Sequence, residues 1–169
     1  MPATAQNART NWSRKICFSY GVAGITSLII FFSDFFIKNY LKNNFAYQSI
    51  PVIKNILNIT VVFNKGAAFG VLKGYSNILV YAGIVFIIML IVTIKKNARK
   101  SMLSMVILGL IMGGAFSNMF DRVVYGFVVD YLDFRIWPVF NLSDTCISIG
   151  VGILLLQSLS ANEKKNIGK

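Results

Sequence analysis

The chain has 169 residues, of which 56% are hydrophobic and only 14% are charged. Because soluble domains carry roughly 25% charged residues, this composition excludes an ordinary soluble domain and favours a single membrane domain. The net charge of +11 indicates membrane phospholipid as a partner and not nucleic acid, since the basic residues flank apolar segments and are not interleaved with exposed aromatics.

The chain contains no histidine, which excludes Ser-His-Asp triads, Cys-His pairs and HExxH zinc sites. Its two cysteines, Cys17 and Cys146, form no CxxC motif. We interpret them as small buried hydrophobic side chains at the edges of apolar segments. The sequence therefore predicts neither a metal site nor a cofactor.

Residues 1–15 are polar and basic and predict a flexible tail. Residues 16–41 predict the first membrane span, because the apolar part exceeds the about 20 helical residues that cross a bilayer. No A-x-A site follows this segment, so we expect a retained span and not a cleaved signal peptide. Asp34 and Lys38 share one face of this helix. They predict either a salt bridge at the headgroups or a support for an active site.

Residues 42–76 form the longest connection. Its middle, residues 56–63, is rich in β-branched and aromatic side chains and predicts a strand. The following Asn64-Lys-Gly sequence predicts a tight turn. Two interpretations remain open, a plain hairpin or a cradle over a site in which the amide of Asn64 points inward.

Residues 77–94 are almost entirely aliphatic and predict a second span. Residues 95–100 carry four cations, which is typical of a cytoplasmic loop. Residues 101–120 predict a third span, in which Gly109 and Gly113 lie four positions apart. This spacing predicts close helix packing, and it would also let a substrate backbone approach.

The remaining segments are an outer loop at 121–140, a fourth span at 141–160 and a basic tail at 161–169. With both termini and the 95–100 loop cytoplasmic, four spans place residues 42–76 and 121–140 together on the outer face. Carboxylates near hydrocarbon are costly and usually functional. Four of the six acidic residues belong to this last part of the chain: Asp121, Asp130, Asp133 and Asp144.

Two carboxylates can hydrolyse a peptide without histidine or metal, because one stays ionised while repulsion keeps a proton on the other. Asp130 ends an extended Val-Val segment, and Asp144 opens the fourth span. Asp121 is adjacent to Arg122, and Asp133 is close to Arg135, so we expect each of these two aspartates to pair with its neighbouring arginine. The pattern alone leaves catalysis and ion pairing or helix capping both open for Asp130 and Asp144.

Five motifs occur in order along the chain: Asp34…Lys38, Asn64-Lys-Gly-Ala-Ala-Phe69, Gly113-Gly-Ala…Asn118…Asp121-Arg122, Val128-Val-Asp130 and Phe140-Asn-Leu-Ser-Asp144. Together they resemble the lipoprotein signal peptidases, the type II signal peptidases of bacteria. The resemblance implies four membrane helices with an outer β-cradle between helices 1 and 2, in an otherwise all-α membrane protein. It also implies an intramembrane aspartyl endopeptidase that cuts diacylglyceryl-modified prolipoproteins before the lipidated cysteine.

By this resemblance, Asp130 and Asp144 are the catalytic pair, and the enzyme is a monomer of the bacterial inner membrane with its active site at the outer face. Ser143 stands where alanine is usual, and Ile37 where a hydroxyl residue is common. The residues expected to bind substrate or support the site are Asn64, Asn118, Arg122, Asn141, Asp34, Lys38, Asp121 and Gly114.

Two other classes of function fit parts of the sequence. A small transporter or proton or cation relay could use the same carboxylates, but a relay requires ionisable groups spread across the bilayer. A non-catalytic assembly subunit would explain the small residues of the third span and would leave the acidic cluster without a role.

Overall fold

The computed structural model describes the backbone of residues 3–66, 76–97 and 101–167. Parts of the predicted turn after Asn64 and of the predicted cytoplasmic loop at 95–100 lie outside the described residues. The described chain is mostly helical, and each helix contains a stretch long and apolar enough to cross a membrane, which confirms the four predicted spans. The helices are α1 (Ala3–Phe45), α2 (Ser76–Asn97), α3 (Met102–Tyr125) and α4 (Leu142–Ile167).

The helices extend beyond the predicted spans. Residues 3–15, predicted as a flexible tail, continue α1, and α4 runs on to Ile167 through most of the predicted tail at 161–169. Neither extension contains proline or glycine. Once a span has formed, each further residue adds one hydrogen bond without a new nucleation cost, so such polar extensions remain helical.

Helix α3 is the centre of the bundle and packs against all three other helices. Its span is 67% buried within the protein, whereas the other three spans are 11–17% buried. The buried core includes Met105, Leu108 and Ile111 of α3. The other helices therefore present most of their apolar surface to lipid.

Three glycines allow this packing. A Cβ atom at Gly109 would lie 2.6 Å from the carbonyl oxygen of Ala23, and one at Gly113 would lie 2.5 Å from that of Ser27. The small-residue face is thus filled by α1, and it leaves no room for a substrate backbone at these two positions. Gly114 faces α4 instead, where a Cβ would lie 2.7 Å from the carbonyl oxygen of Ser143.

A small antiparallel sheet lies beside the bundle, with the strand order β1-β2-β3. Its first two strands come from the predicted cradle, but the third comes from the loop between α3 and α4. The sequence predicted a sheet confined to the connection between the first two helices. The structure corrects this prediction, because the third strand comes from the predicted outer loop at 121–140. The strands are β1 (Ser49–Ile53), β2 (Leu57–Asn64) and β3 (Val128–Asp133).

The pairing of β2 with β3 brings the two predicted site segments together. Asp130 lies opposite Val62, and Val128 lies opposite Asn64, after an irregularity between Ile59 and Val62. Leu132 of β3 also forms a bridge with Phe140, just before α4. The sheet thus holds β3 between the cradle and the beginning of the fourth span.

Candidate active site

The first turn of α4 fixes the position of Asp144. The side-chain oxygen of Asn141 accepts the backbone N–H of Asp144 at 2.8 Å, and the Asp144 carboxylate accepts the backbone N–H of Asn141 at 3.3 Å. This reciprocal pair is a capping box, which satisfies N–H groups that have no partner inside the helix. The Asn-Leu-Ser-Asp spacing therefore places Asp144 by local geometry.

Asp130 lies on β3 and is 2% exposed. One of its carboxylate oxygens accepts the side-chain amide of Asn141 at 2.8 Å, and the other accepts that of Asn64 at 2.9 Å. The oxygen of the Asn64 amide accepts the backbone N–H of Gly66 at 2.9 Å, which orients the amide nitrogen toward Asp130. Asn64 thus points inward, and Asn141 hydrogen-bonds both carboxylates.

Asn118 of α3 completes the surroundings of Asp144. Its amide nitrogen donates to Asp144 at 2.7 Å, and its amide oxygen accepts from Lys38 at 2.9 Å and from Asn141 at 3.1 Å. A lysine ammonium can only donate hydrogen bonds. Lys38 therefore fixes the orientation of Asn118 that lets it donate to Asp144.

Lys38 also lies between two carboxylates, 2.7 Å from Asp34 and 3.0 Å from Asp121. The Asp34–Lys38 pair expected from the sequence is formed, but it is buried in the protein and not at an exposed helix end. Asp121 was expected to pair with its neighbour Arg122. It pairs with Lys38 instead and accepts the backbone N–H of Val129 at 3.2 Å, because its side chain faces α1 and β3.

Arg122 and Asp133 have partners outside the group around Lys38. The guanidinium of Arg122 donates to the backbone carbonyls of Asn118 at 3.2 Å and of Gly66 at 3.4 Å, linking α3 to the loop after β2. Asp133 lies 3.9 Å from Arg135, in agreement with the sequence, and that arginine is largely exposed.

A cavity of about 960 Å³ opens over the two carboxylates. One wall comes from β2 and the loop that follows it, including Asn64 and Lys65, and another comes from α4, including Thr145 and Ser148. Asp130, Asp144 and Arg122 line it as well, together with the loop 134–140. A peptide in this cavity would contact both carboxylates.

The electrostatics favour a shared proton. Burial, and then the charge of Asp144, raise the pKa of Asp130 from 3.8 to about 7, against the lowering effects of Asn64, Asn141 and Lys38. Asp130 therefore exchanges a proton near neutral pH, which is the property required of a general acid or base. No group of three or more acidic or cysteine side chains that could hold a metal ion occurs in the described part of the chain.

The sequence did not identify three further hydrogen-bonding side chains. The hydroxyls of Ser117, Tyr131 and Ser143 all donate to Asp34. The sequence showed only that Ser143 stands where alanine is usual, yet its Oγ donates to the buried carboxylate of Asp34. The position of Tyr131 and Ser143 next to the two central aspartates was the available signal.

Four apolar helices with a cavity that two carboxylates line define a multi-pass membrane protein with an enzyme-like site. A family profile described as signal peptidase (SPase) II, peptidase family A8, matches residues 26–160. The chain belongs to this family of lipoprotein signal peptidases. It is therefore a membrane protease that removes signal peptides from prolipoproteins.

Individual relatives and one solved structure are consistent with this family assignment. Lipoprotein signal peptidases of Halothermothrix orenii and Desulfitobacterium hafniense are 41% and 42% identical to this chain over 133 and 143 residues. These alignments cover 78% and 83% of this chain and 91% and 95% of the relatives. A solved structure described as a bacterial membrane enzyme superposes with a TM-score of 0.80 at 30% identity, covering 86% of this chain and 92% of that chain.

Proposed function

We propose that Asp130 and Asp144 are the catalytic dyad of an aspartyl endopeptidase, which cuts a diacylglyceryl-modified prolipoprotein immediately before its lipidated cysteine. The observation that carries this proposal is that Asn141 hydrogen-bonds both carboxylates, which line one cavity. The position of the cut and the lipidated cysteine follow from the family resemblance.

In this mechanism the two carboxyl groups hold one proton between them. The ionised group takes a proton from water, which attacks the scissile carbonyl carbon, while the protonated group donates its proton to the carbonyl oxygen. The tetrahedral intermediate then collapses, the peptide nitrogen receives a proton from the dyad and the C–N bond breaks. The raised pKa of Asp130 supports a shared proton at neutral pH.

The surrounding residues have separate roles in the proposal. The amides of Asn64, Asn118 and Asn141 orient the carboxylates that they contact. Arg122 lines the cavity beside the loop after β2, where its guanidinium can donate to carbonyl oxygens of the substrate. Gly114 contributes by letting α4 approach α3.

We further propose that the enzyme lies in the bacterial inner membrane as a monomer, with both termini cytoplasmic and the cavity at the outer face. Two features support this orientation. Lys95 and Lys96 end α2, at the end of the bundle away from the sheet. Trp137, in the loop beside the cavity, is 60% exposed, as expected of an aromatic residue at a headgroup interface.

The relay alternative finds less support. The five acidic side chains that the structure describes are Asp34, Asp121, Asp130, Asp133 and Asp144, and all lie in or next to the sheet end of the bundle. The described side chains of α2, residues 77–96, include no acidic residue. A relay would need carboxylates at several depths, whereas this arrangement serves a single reaction site.

Substituting each dyad residue tests the proposal. Asp130→Asn and Asp144→Asn should each reduce cleavage of a lipidated prolipoprotein by at least about a thousandfold, because neither amide can exchange the required proton. The gel shift between precursor and product measures this cleavage. Asp133→Asn is the matched control and should retain cleavage. Normal turnover by either dyad variant, in folded and membrane-inserted protein, would refute the dyad.

A further inference from the structure

Two buried hydroxyl side chains are immediate neighbours of the proposed dyad. Tyr131 follows Asp130 and is 4% exposed, and Ser143 precedes Asp144 and is 0% exposed. Both donate to the same carboxylate, that of Asp34 on α1. The distances are 3.1 Å from the Tyr131 hydroxyl to one oxygen and 2.5 Å from the Ser143 hydroxyl to the other.

The Tyr131 hydroxyl makes a second contact, accepting the backbone N–H of Leu142 at 3.1 Å. A phenol has one proton, so donation to Asp34 leaves its lone pairs free to accept. Burial, and then the charge of Asp34, raise the pKa of Tyr131, which keeps the hydroxyl a neutral donor. Leu142 begins α4, so one phenol connects the strand of Asp130 to the helix of Asp144.

Asp34 itself is a fixed point. It is 0% exposed, and one of its oxygens also accepts from Lys38 and from Ser117 of α3, each at 2.7 Å. Its anchors therefore come from α1 and α3, while Tyr131 and Ser143 reach it from β3 and α4. A shift of β3 relative to α4 would break at least one of these buried hydrogen bonds, each of which is strengthened by the charge on Asp34.

We propose that Tyr131 and Ser143 are positioning residues for the proteolytic reaction. Their hydroxyls, both anchored on Asp34, hold Asp130 and Asp144 at the separation at which the two carboxyl groups share one water. This inference rests on the proposed dyad and adds to it the elements that set its geometry.

Loss of either hydroxyl should reduce kcat more than it changes KM. Tyr131→Phe and Ser143→Ala each remove one oxygen and leave the cavity wall intact, because neither side chain lines the cavity. We expect kcat to fall by about tenfold, which corresponds to about 1.4 kcal/mol of activation free energy. KM should change by less than about twofold, since substrate contacts remain.

The pH profile is a second measurement that separates positioning from folding. The charged groups that act on Asp130 are Lys38 of α1, Arg122 of α3 and Asp144 of α4, and Lys65 after β2 lines the same cavity. Neither substitution removes any of these charges. A dyad with a wider separation has weaker repulsion, so the high-pH limb of the kcat profile should move to lower pH in both variants.

The experiment measures kcat, KM and the pH profile for the wild type, both variants and the double variant, with a lipidated prolipoprotein as substrate. The losses of the two single variants should combine less than multiplicatively in the double variant, because both act through Asp34. Tyr81→Phe and Ser158→Ala are matched controls at exposed positions of α2 and α4 and should behave as the wild type.

Unchanged kcat and pH profile in folded Tyr131→Phe and Ser143→Ala would overturn the positioning role, even with Asp130→Asn and Asp144→Asn inactive. Cleavage by the dyad variants would instead overturn the proposed function, so the two failures are distinguishable. If Tyr131→Phe does not insert into the membrane, the kcat and the pH profile of Ser143→Ala alone test the positioning role.

Discussion

The buried carboxylates of this protein form two pairs with opposite surroundings. Asp34 and Asp121 share the cation of Lys38 and are almost completely enclosed. Asp130 and Asp144 receive their side-chain hydrogen bonds from neutral asparagine amides and line the cavity. A cation within 3 Å attracts the charged form of a carboxylate directly, whereas a neutral amide stabilises that form less strongly. One pair is therefore suited to holding the helices together, and the other to exchanging a proton.

The largest effect on stability is expected from removing the shared cation. Lys38→Met leaves Asp34 and Asp121 buried without a counter-charge, and we expect unfolding to become easier by about 3–5 kcal/mol. The measurement is thermal unfolding in detergent micelles. Asp130→Asn is the comparison, because it removes a charge from the other pair and should not destabilise the protein.

A compensating variant sharpens the same prediction. Asp34→Asn combined with Lys38→Met removes one of the two unpaired carboxylates and should recover part of the lost stability. Equal loss in Lys38→Met and Asp130→Asn would show that the two pairs do not differ in the way that their contacts indicate.

An intermediate effect on stability is expected from a change in pH. Because the pKa of Asp130 rises from 3.8 to about 7 on folding, the folded protein binds more protons than the unfolded chain between these values. Stability should therefore fall as the pH rises from about 4 to about 7 and level off above it. This fall should be smaller in Asp130→Asn, as measured by thermal unfolding across the pH range.

Cleavage should follow the same titration. Above about pH 7 the dyad loses its shared proton, and the rate should decrease with increasing pH. A cleavage rate that stays constant well above pH 7 would contradict proton sharing by the dyad.

The smallest effect is expected at the exposed pair. Arg135 is largely exposed and lies 3.9 Å from Asp133, and surface ion pairs contribute about 0–1 kcal/mol. Asp133→Asn should therefore change the unfolding temperature little, although it weakens the hydrogen bond from Thr60. A loss of stability in Asp133→Asn as large as that in Lys38→Met would show that the buried and the exposed ion pairs contribute equally, against this prediction.

Much of the fold could be predicted from the chain because its signals are local. A span requires only a sufficiently long apolar segment, so all four were identifiable, and the strand expected at residues 56–63 appears as Leu57–Asn64. The pairing of β2 with β3 was not predicted. Pairing depends on register between segments more than 60 positions apart, which local patterns do not specify.

In the candidate site, too, some contacts could be predicted from the sequence and others could not. The capping box of Asn141 and Asp144 lies within one helical turn and follows from spacing alone. The partner of Asp121 did not follow from spacing, because sequence proximity favoured Arg122 while the fold brought Lys38 closer. A neighbour in sequence is a poor guide when side chains leave a helix in different directions.

By itself, the sequence determined the membrane class, the number of spans and the concentration of carboxylates in the last third of the chain. These depend on composition and on segment length. The partition of an apolar segment between water and lipid depends on that segment alone and not on the rest of the fold. The tertiary structure alone decided that Asp121 meets Lys38, and that Tyr131 and Ser143 converge on Asp34 from 97 and 109 positions away. Such contacts exist only after the helices pack, because their geometry depends on every element between them.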